Sequence, residues 1–386
     1  MTMKIGVVGG GQLGRMLGLA GVAMGFQFRF WDPAEEPPAA EVGEHFRAEF
    51  DDCDSAERFA EGLDVITYEF ENIPSATIER LQKLCDCRPG PLALAKSQDR
   101  AVEKEFFQEL GIPVAPWRQV DSLDDLEQAF DALGACILKT RRFGYDGKGQ
   151  EVIRAKAECE GAWARLSPAP MVAEKKIIFQ RELSLVGVRA ANGSIATYPL
   201  VENEHRSGIL HKTVAPAPGV ISSLQQSADD MMRRCLNALD YVGVLTIEFF
   251  EENGKLMANE MAPRVHNSGH WSIEGAVSSQ FENHVRAITG MPLGATAARY
   301  PSVMLNCIGS LPDHRAVLQI DAAHFHGYGK SARPGRKVGH ITVCHEILFE
   351  QRDSAAAFET RVSAVESLVL EASQKLQASS TASDHV

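Results

Sequence analysis

Glu248 and Glu260 lie equally far from Gly254 in the stretch YVGVLTIEFFEENGKLMANEMAPRVHNSGHW, residues 241–271. A hairpin symmetric about that glycine would set the two acids opposite each other on one sheet face, with Cβ atoms roughly 5 Å apart. Two such carboxylates among apolar residues repel and lose hydration, so a shared proton or a cation must compensate. Mg²⁺, which takes one or two carboxylates together with substrate phosphates, suits the pair. Equally, one glutamate could face solvent and the pair never meet. Further along, Arg264, His266, Asn267, Ser268 and His270 crowd around Gly269. Polar loop clusters either carry function or hold their own loop by hydrogen bonds. The His266-x-x-x-His270 spacing suits zinc only on a helix, which Asn-Ser-Gly opposes, so zinc is not expected.

A second group is ACILKTRRFGYDGKGQEVIR, residues 135–154. Lys139 ends a strand, and Gly144, Gly147 and Gly149 space the loop that follows, with Tyr145, Asp146, Lys148 and Gln150 among them. This is not a Walker A loop, because the lysine precedes the glycines and no helix follows. Such a loop can lay backbone N–H groups over phosphates while Lys139 reaches them from below. Otherwise it is a flexible basic surface hairpin. Four cations, Lys330, Arg333, Arg336 and Lys337, fall within eight residues of KSARPGRKVGH. They suggest an anion site or a solvated basic turn. Near the start, Gly9, Gly11 and Gly14 have G-x-G-x-x-G spacing, and Asp32 follows 18 residues beyond Gly14. That pattern keeps an NAD-dependent dehydrogenase in view, although Asp32 could equally be a strand-end turn residue. YEFENIP places Glu69, Glu71 and Asn72 at a strand's carboxyl end, where α/β sheets bind ligands and where an acid can also cap the next helix.

The elements that must position these groups read as follows. Residues 4–8 form a strand, a helix runs through Ala23, and a second strand ends at Asp32. A strand at 64–74 leads to a helix from Ser75, and the chain turns at Arg88-Pro89-Gly90-Pro91. AKSQDRAVEKEFFQELGIP is one basic helix, with Ser97, Arg100 and Lys104 able to cap it or face the next domain. MVAEKKI, RELSLVGVRA and GSIATYPLVENEH are successive antiparallel strands. The first is an edge strand offering backbone groups to an adenine ring and Glu174 to a ribose. A helix at 223–240 precedes the hairpin, and SVMLNCIGS, AAHFHGYGK and KVGHITVC are later strands. A terminal helix at 354–377 precedes a disordered polar tail, SSTASDHV.

At 386 residues, two or three domains are expected. A composition of 45% apolar and 23% charged residues is that of a soluble globular chain. There is no apolar run long enough for a bilayer and no signal-peptide pattern at the N-terminus. The eight cysteines are scattered as reduced core residues of a cytoplasmic protein. The net charge of −12 argues against wholesale nucleic-acid binding.

In combination, GGGQLGRM, YEFENIP, GYDGKGQ, NEMAPRVHNSGHW and RPGRKVGH resemble the ATP-grasp superfamily, and within it the ribonucleotide-carboxylating synthases of purine biosynthesis. The resemblance covers about residues 3–345. It implies a mixed α/β and α+β architecture. A Rossmann-like parallel-sheet domain would span 1–97, and an ATP-grasp domain 98–298, with a mobile lid at about 115–180. A strand-rich C-terminal domain would span 299–386. It also implies an ATP-dependent ligase that activates bicarbonate as carboxyphosphate and carboxylates the amine of 5-aminoimidazole ribonucleotide through released CO₂. One or two Mg²⁺ would assist, in a cytoplasmic homodimer that binds neither nucleic acid nor membrane. By motif, Arg100, Lys139, the loop Gly144 to Gln150, Glu174, Lys175, Lys176, Ile177, Glu182, His205, Asn259 and Glu260 fall at nucleotide positions. Glu248 and Glu260 fall at metal positions. Gln12, Leu13, Glu69, Tyr145, Asp146, Lys148, His270, Lys330 and Lys337 match candidates for the ribonucleotide. Arg264, Asn267 and His270 are the catalytic candidates. Ala262 stands where the superfamily often has Asn, which leaves fewer protein ligands for a second Mg²⁺. A formate-dependent ribonucleotide transformylase shares the hairpin and the loop, and a non-catalytic nucleotide sensor would need no ribonucleotide site.

Overall fold

In a computed structural model, residues 2–144, 147–345 and 355–383 are described. The first unit is a parallel sheet in the order Glu44–Phe46, Gln27–Trp31, Lys4–Val8, Val65–Tyr68. Lys4–Val8 and Val65–Tyr68 are apolar runs buried on both faces, as covered parallel strands must be. The last strand is only VITY, four residues, rather than the stretch 64–74. Its early end leaves Glu69 and Glu71 past the carboxyl edge. The strand Glu44–Phe46 and the helix Cys53–Ala60 had no clear sequence signal. Asp52 caps that helix through Asp54 and Ser55 N–H.

The expected single basic helix is two, Pro91–Ser97 and Arg100–Glu109. Asp99 breaks it by taking extended backbone and accepting from Ala101 N–H, the behaviour of an N-cap acid. Ser97 does not cap, and instead donates to Leu94 O. The new helix buries Glu103 and Lys104 against the hairpin side of the site.

A four-stranded antiparallel lid sheet follows, ordered Trp117–Val120, Met171–Lys175, Cys136–Thr140, Gln150–Ile153. The helices Leu123–Leu133 and Cys159–Leu166 cover one face and share its core. Met171–Lys175 is thus an interior strand of this sheet. It is neither the expected edge nor a neighbour of RELSLVGVR, which lies in a different sheet.

Among the described residues that larger sheet has nine strands, eight along one path and Ile195–Thr197 paired to Arg181–Arg189 off it. Its path runs from the hairpin Lys255–Ala262 and Gly243–Glu252 through Arg181–Arg189, Val201–Arg206 and Ile209–Ala215 to Ser302–Ile308, Lys337–Cys344 and Ala323–Gly327. Ser222–Ala238 packs beneath the hairpin side. The pairing of Ile209–Ala215 with Ser302–Ile308 carries the sheet across residue 299 without a break. Phe358, Val362, Val365 and Val369 of the terminal helix cover its far end. This helix runs Ala355–Ser383, so the polar stretch expected to be disordered is helical as far as it is described. No helix among the described residues is long and apolar enough to cross a membrane.

Candidate active site

The hairpin turns on Asn253 and Gly254, both at positive φ (51° and 72°), the geometry of a two-residue turn matched to strand twist. That turn alone sets Glu252 opposite Lys255 and would set Glu248 opposite Asn259. A bulge between Glu248 and Phe249 adds one residue, and Glu248 then faces Glu260. The pair meets, but through a bulge rather than through symmetry about Gly254.

Each carboxylate has a nitrogen-bearing neighbour. Arg100 Nη1 donates to Glu260 Oε2 at 2.9 Å, and His266 Nε2 lies 3.2 Å from Glu248 Oε1. Burial, and then the charge of Glu260, raise the Glu248 carboxyl above the usual range. Burial also opposes ionisation of Glu260, but Arg100 and Lys139 overcome it and hold that carboxyl low. Beside them, Asn259 Oδ1 is buried without a hydrogen-bond partner among the described residues. Two facing carboxylates and an orphaned amide oxygen are hard oxygen donors, a set that fits Mg²⁺. No group of three or more His, Cys, Asp or Glu among the described residues is arranged to hold a metal. Two carboxylates completed by phosphate oxygens need no such group.

Lys139 is buried, and its Nζ lies 3.2 Å from Glu174 Oε2, which Lys104 Nζ approaches at 3.1 Å. Burial works against the Glu174 charge, yet Lys139 and Lys104 bring its carboxyl down to about 2. The Glu174 side chain is therefore a counter-ion beneath the site, not a ribose ligand. Lys175 and Lys176 spend their backbone N–H groups on Pro116 O and Ala135 O. The half-buried Ile177 follows them just beyond the strand. Glu182 lies in register with Phe250 of the hairpin and pairs with His205 Nδ1. Burial lowers His205, but Glu182 and Glu248 more than offset it.

In the glycine loop, Gly147 and Gly149 take φ of 76° and 71°. A Cβ on Gly149 would lie 2.6 Å from Thr140 Oγ1, and one on Gly147 would lie 3.1 Å from Gly208 Cα. Side chains are thus excluded where the lid sheet meets the turn at Ser207-Gly208. A Cβ on Gly144 would lie 3.5 Å from an Arg100 Nη, which places the loop's start above the hairpin. Lys148 and Gln150 are exposed. Tyr145 and Asp146 lie outside the described residues.

The N-terminal glycine turn holds no room for a dinucleotide pyrophosphate. Gly11 N–H and Gly14 N–H donate to the Glu69 carboxylate at 2.9 and 3.3 Å, and Gly10 N–H to Asp32 Oδ2 at 2.8 Å. The chain's own acids take the donors that such a turn would present to phosphate, and Asp32 points into the loop rather than towards a ribose. Gln12 Oε1 accepts from Lys330 Nζ, so Gln12, Glu69 and Lys330 of the expected ribonucleotide site do come together. Leu13 does not join them, because its side chain belongs to the core. The four-cation cluster divides. Lys337 acts electrostatically on Glu248, whereas Arg336 is tied to Ser331.

Arg264 makes a two-pronged pair with Glu71 of the first domain, Nη2 to Oε1 at 2.8 Å and Nε to Oε2. Two of the sequence's catalytic candidates are used differently from expectation. Asn267 exchanges amide hydrogen bonds with Asn306 at 3.0 and 2.8 Å. His270 is 1% exposed and packs against Phe281, Tyr328 and His340. Both fix the loop that carries Arg264 and His266. Sequence reasoning left Glu103 and Lys104 without a site role, and named Glu71 and His266 only as members of the polar clusters at the strand end and around Gly269. For His266, proximity to Arg264 was the available signal.

A lysine-bearing, glycine-looped lid sheet facing a carboxylate hairpin is the ATP-grasp arrangement, and the ATP-grasp domain model matches residues 105–281. The ribonucleotide synthetase preATP-grasp domain matches residues 1–98, and the phosphoribosylaminoimidazole carboxylase C-terminal domain matches 302–352. The chain is 47% identical to the N5-carboxyaminoimidazole ribonucleotide synthase of Pseudomonas aeruginosa, over 95% of this chain and 99% of that one. Among solved structures it resembles N5-carboxyaminoimidazole ribonucleotide synthetase from Thermus thermophilus (TM-score 0.89, 48% identity, 94% and 98% of the two chains). It also resembles the Aspergillus clavatus synthase in complex with ADP and 5-aminoimidazole ribonucleotide (TM-score 0.87, 32% identity, 96% and 99%). The chain belongs to the N5-carboxyaminoimidazole ribonucleotide synthase family.

Proposed function

We propose that the protein carboxylates 5-aminoimidazole ribonucleotide to N5-carboxyaminoimidazole ribonucleotide, consuming ATP and bicarbonate and releasing ADP and phosphate. A bicarbonate oxygen attacks the γ-phosphorus, and the bond to ADP breaks. The resulting carboxyphosphate gives its carboxyl carbon to the substrate amine, and phosphate leaves with the electron pair. Phosphorylation turns a poor electrophile into one with a good leaving group. The single observation that carries this reading is the facing pair Glu248 and Glu260, bracketed by Arg100 and His266.

Glu248 and Glu260, with Asn259 adjacent, would hold Mg²⁺, which neutralises phosphate charge when bound. Lys139 and the loop Gly144 to Gln150 would meet the phosphates. Glu182 and His205 would face the nucleoside, and a carbonyl of Glu174 to Ile177 would accept from the purine amino group. Gln12, Glu69, Lys330 and Lys337 would hold the ribonucleotide, the two lysines on its phosphate. Arg264, fixed in orientation by Glu71, would meet bicarbonate and then carboxyphosphate. Domain boundaries near 97 and 298, a cytoplasmic location and a homodimer belong to the same reading. ADP release by the purified protein with Mg²⁺, ATP and bicarbonate should rise on adding 5-aminoimidazole ribonucleotide. No stimulation would overturn the assignment.

A further inference from the structure

Below the carboxylate pair runs a chain of buried polar side chains with one direction. Thr213 Oγ1 donates to Asn203 Oδ1 at 2.9 Å, and Asn203 Nδ2 donates to Ser184 Oγ at 2.9 Å. Ser184 Oγ donates to Ser268 Oγ at 2.7 Å. Ser268 Oγ lies 2.9 Å from His266 Nδ1, which also accepts Ser268 N–H at 3.3 Å. Thr213, Ser184 and Ser268 are fully buried and Asn203 nearly so. With the Asn203 amide nitrogen on Ser184, the order that leaves no hydroxyl proton of the chain without an acceptor runs towards His266. Nδ1 receives two donors and must carry a lone pair. The ring proton is then on Nε2, which faces Glu248 Oε1 at 3.2 Å.

We infer that Ser268, Ser184, Asn203 and Thr213 are positioning residues that fix His266 in its Nε2–H tautomer and so orient Glu248 for the metal. The inference rests on Glu248 being a metal carboxylate. Buried polar pairs of this kind can often be replaced by apolar groups at little cost in stability, so packing alone does not call for four in series. The chain crosses three adjacent strands, Ile209–Ala215, Val201–Arg206 and Arg181–Arg189, before reaching the loop. It ties the metal carboxylate to the rigid middle of the sheet rather than to the hairpin's own end. Ligand orientation by an outer hydrogen-bond shell is a general device at metal sites.

The test is ¹⁵N-histidine NMR of the nucleotide-free protein, with the His266 signals identified by their loss in His266→Gln. The native protein should show the Nε2–H pattern. Ser268→Ala should convert it to a mixture containing Nδ1–H. The Mg²⁺ concentration for half-maximal ADP release should rise about 2- to 12-fold, the range one hydrogen bond supports. Ser184→Ala, one link further back, should move both readouts in the same direction by less, and serves if Ser268→Ala fails to fold. An Nδ1–H pattern in the native protein would overturn the inference. So would an unchanged pattern and Mg²⁺ requirement in both variants. The tautomer is read without turnover, so a failure of the proposed activity leaves this result separately legible.

Discussion

Glu103 offers a prediction whose size follows from where it sits. It lies on the helix Arg100–Glu109, 2% exposed, and accepts Met261 N–H at 2.6 Å, one residue past Glu260. Burial, and next the charge of Glu260, push its carboxyl up to about 8 from an ordinary 4.5. The folded pKa exceeds the unfolded one, so this group's stabilisation is complete below about 4.5 and is lost as pH rises through about 8. Glu103→Gln keeps an oxygen for Met261 N–H but cannot ionise. Relative to native protein, the variant should therefore gain stability steadily between pH 5 and 8 and level off above. The gain should approach, at most, tenfold in the folding equilibrium per pH unit, a total on the order of a few kcal/mol. Glu103→Ala should lie about 1–3 kcal/mol below Glu103→Gln at every pH, because it orphans a buried N–H. Urea unfolding of the three proteins from pH 5 to 9 measures both effects. A difference between Gln and Glu that stays constant with pH would refute the reasoning, because Glu103 would then be equally ionised folded and unfolded.

Three further substitutions probe the site itself. Glu260→Gln removes one of the two carboxylates proposed to hold Mg²⁺ and the partner of Arg100, so steady-state ADP release should fall about 100- to 1000-fold, the usual cost of one preorganised electrostatic group. Near-normal turnover at limiting Mg²⁺ would contradict it. Glu71→Gln leaves Arg264 without its carboxylate fork. It should lower the melting temperature, by less than the about 3–5 kcal/mol of a fully buried pair because both side chains are partly exposed, and should cut kcat. An unchanged melting temperature would show that the pair is not coupled. Lys337→Ala should raise KM for the ribonucleotide about 10- to 150-fold, the worth of one charge-assisted hydrogen bond to phosphate. An unchanged KM would mean that Lys337 binds no substrate.

Much of this was legible in the chain because local rules and tertiary structure agreed. The apolar runs KIGVV and VITY, the glycines around Lys139, and the two glutamates six residues either side of Gly254 each point to their element. Where the reading went astray, a longer-range contact had the deciding role. Asp99, bound by Arg141 Nε at 2.9 and 3.1 Å across 42 residues, split a helix whose composition reads as continuous. Glu69 filled a glycine turn that looks open to phosphate, a contact across 58 residues. Glu174 and its two lysines come from three separate segments, so nothing in MVAEKKI announces a buried counter-ion. The loop HNSGHW reads as one polar cluster, but burial separates its members. His266 turns to Glu248, while Asn267 and His270 turn to the core.

The central claim is that bicarbonate is phosphorylated before the amine is carboxylated. It is tested most directly by running the reaction with ¹⁸O-bicarbonate, Mg²⁺, ATP and 5-aminoimidazole ribonucleotide, and analysing the inorganic phosphate by mass spectrometry. Carboxyphosphate requires one bicarbonate oxygen to leave with phosphorus, so phosphate carrying a single ¹⁸O is predicted. Unlabelled phosphate formed in step with carboxylated product would contradict the account.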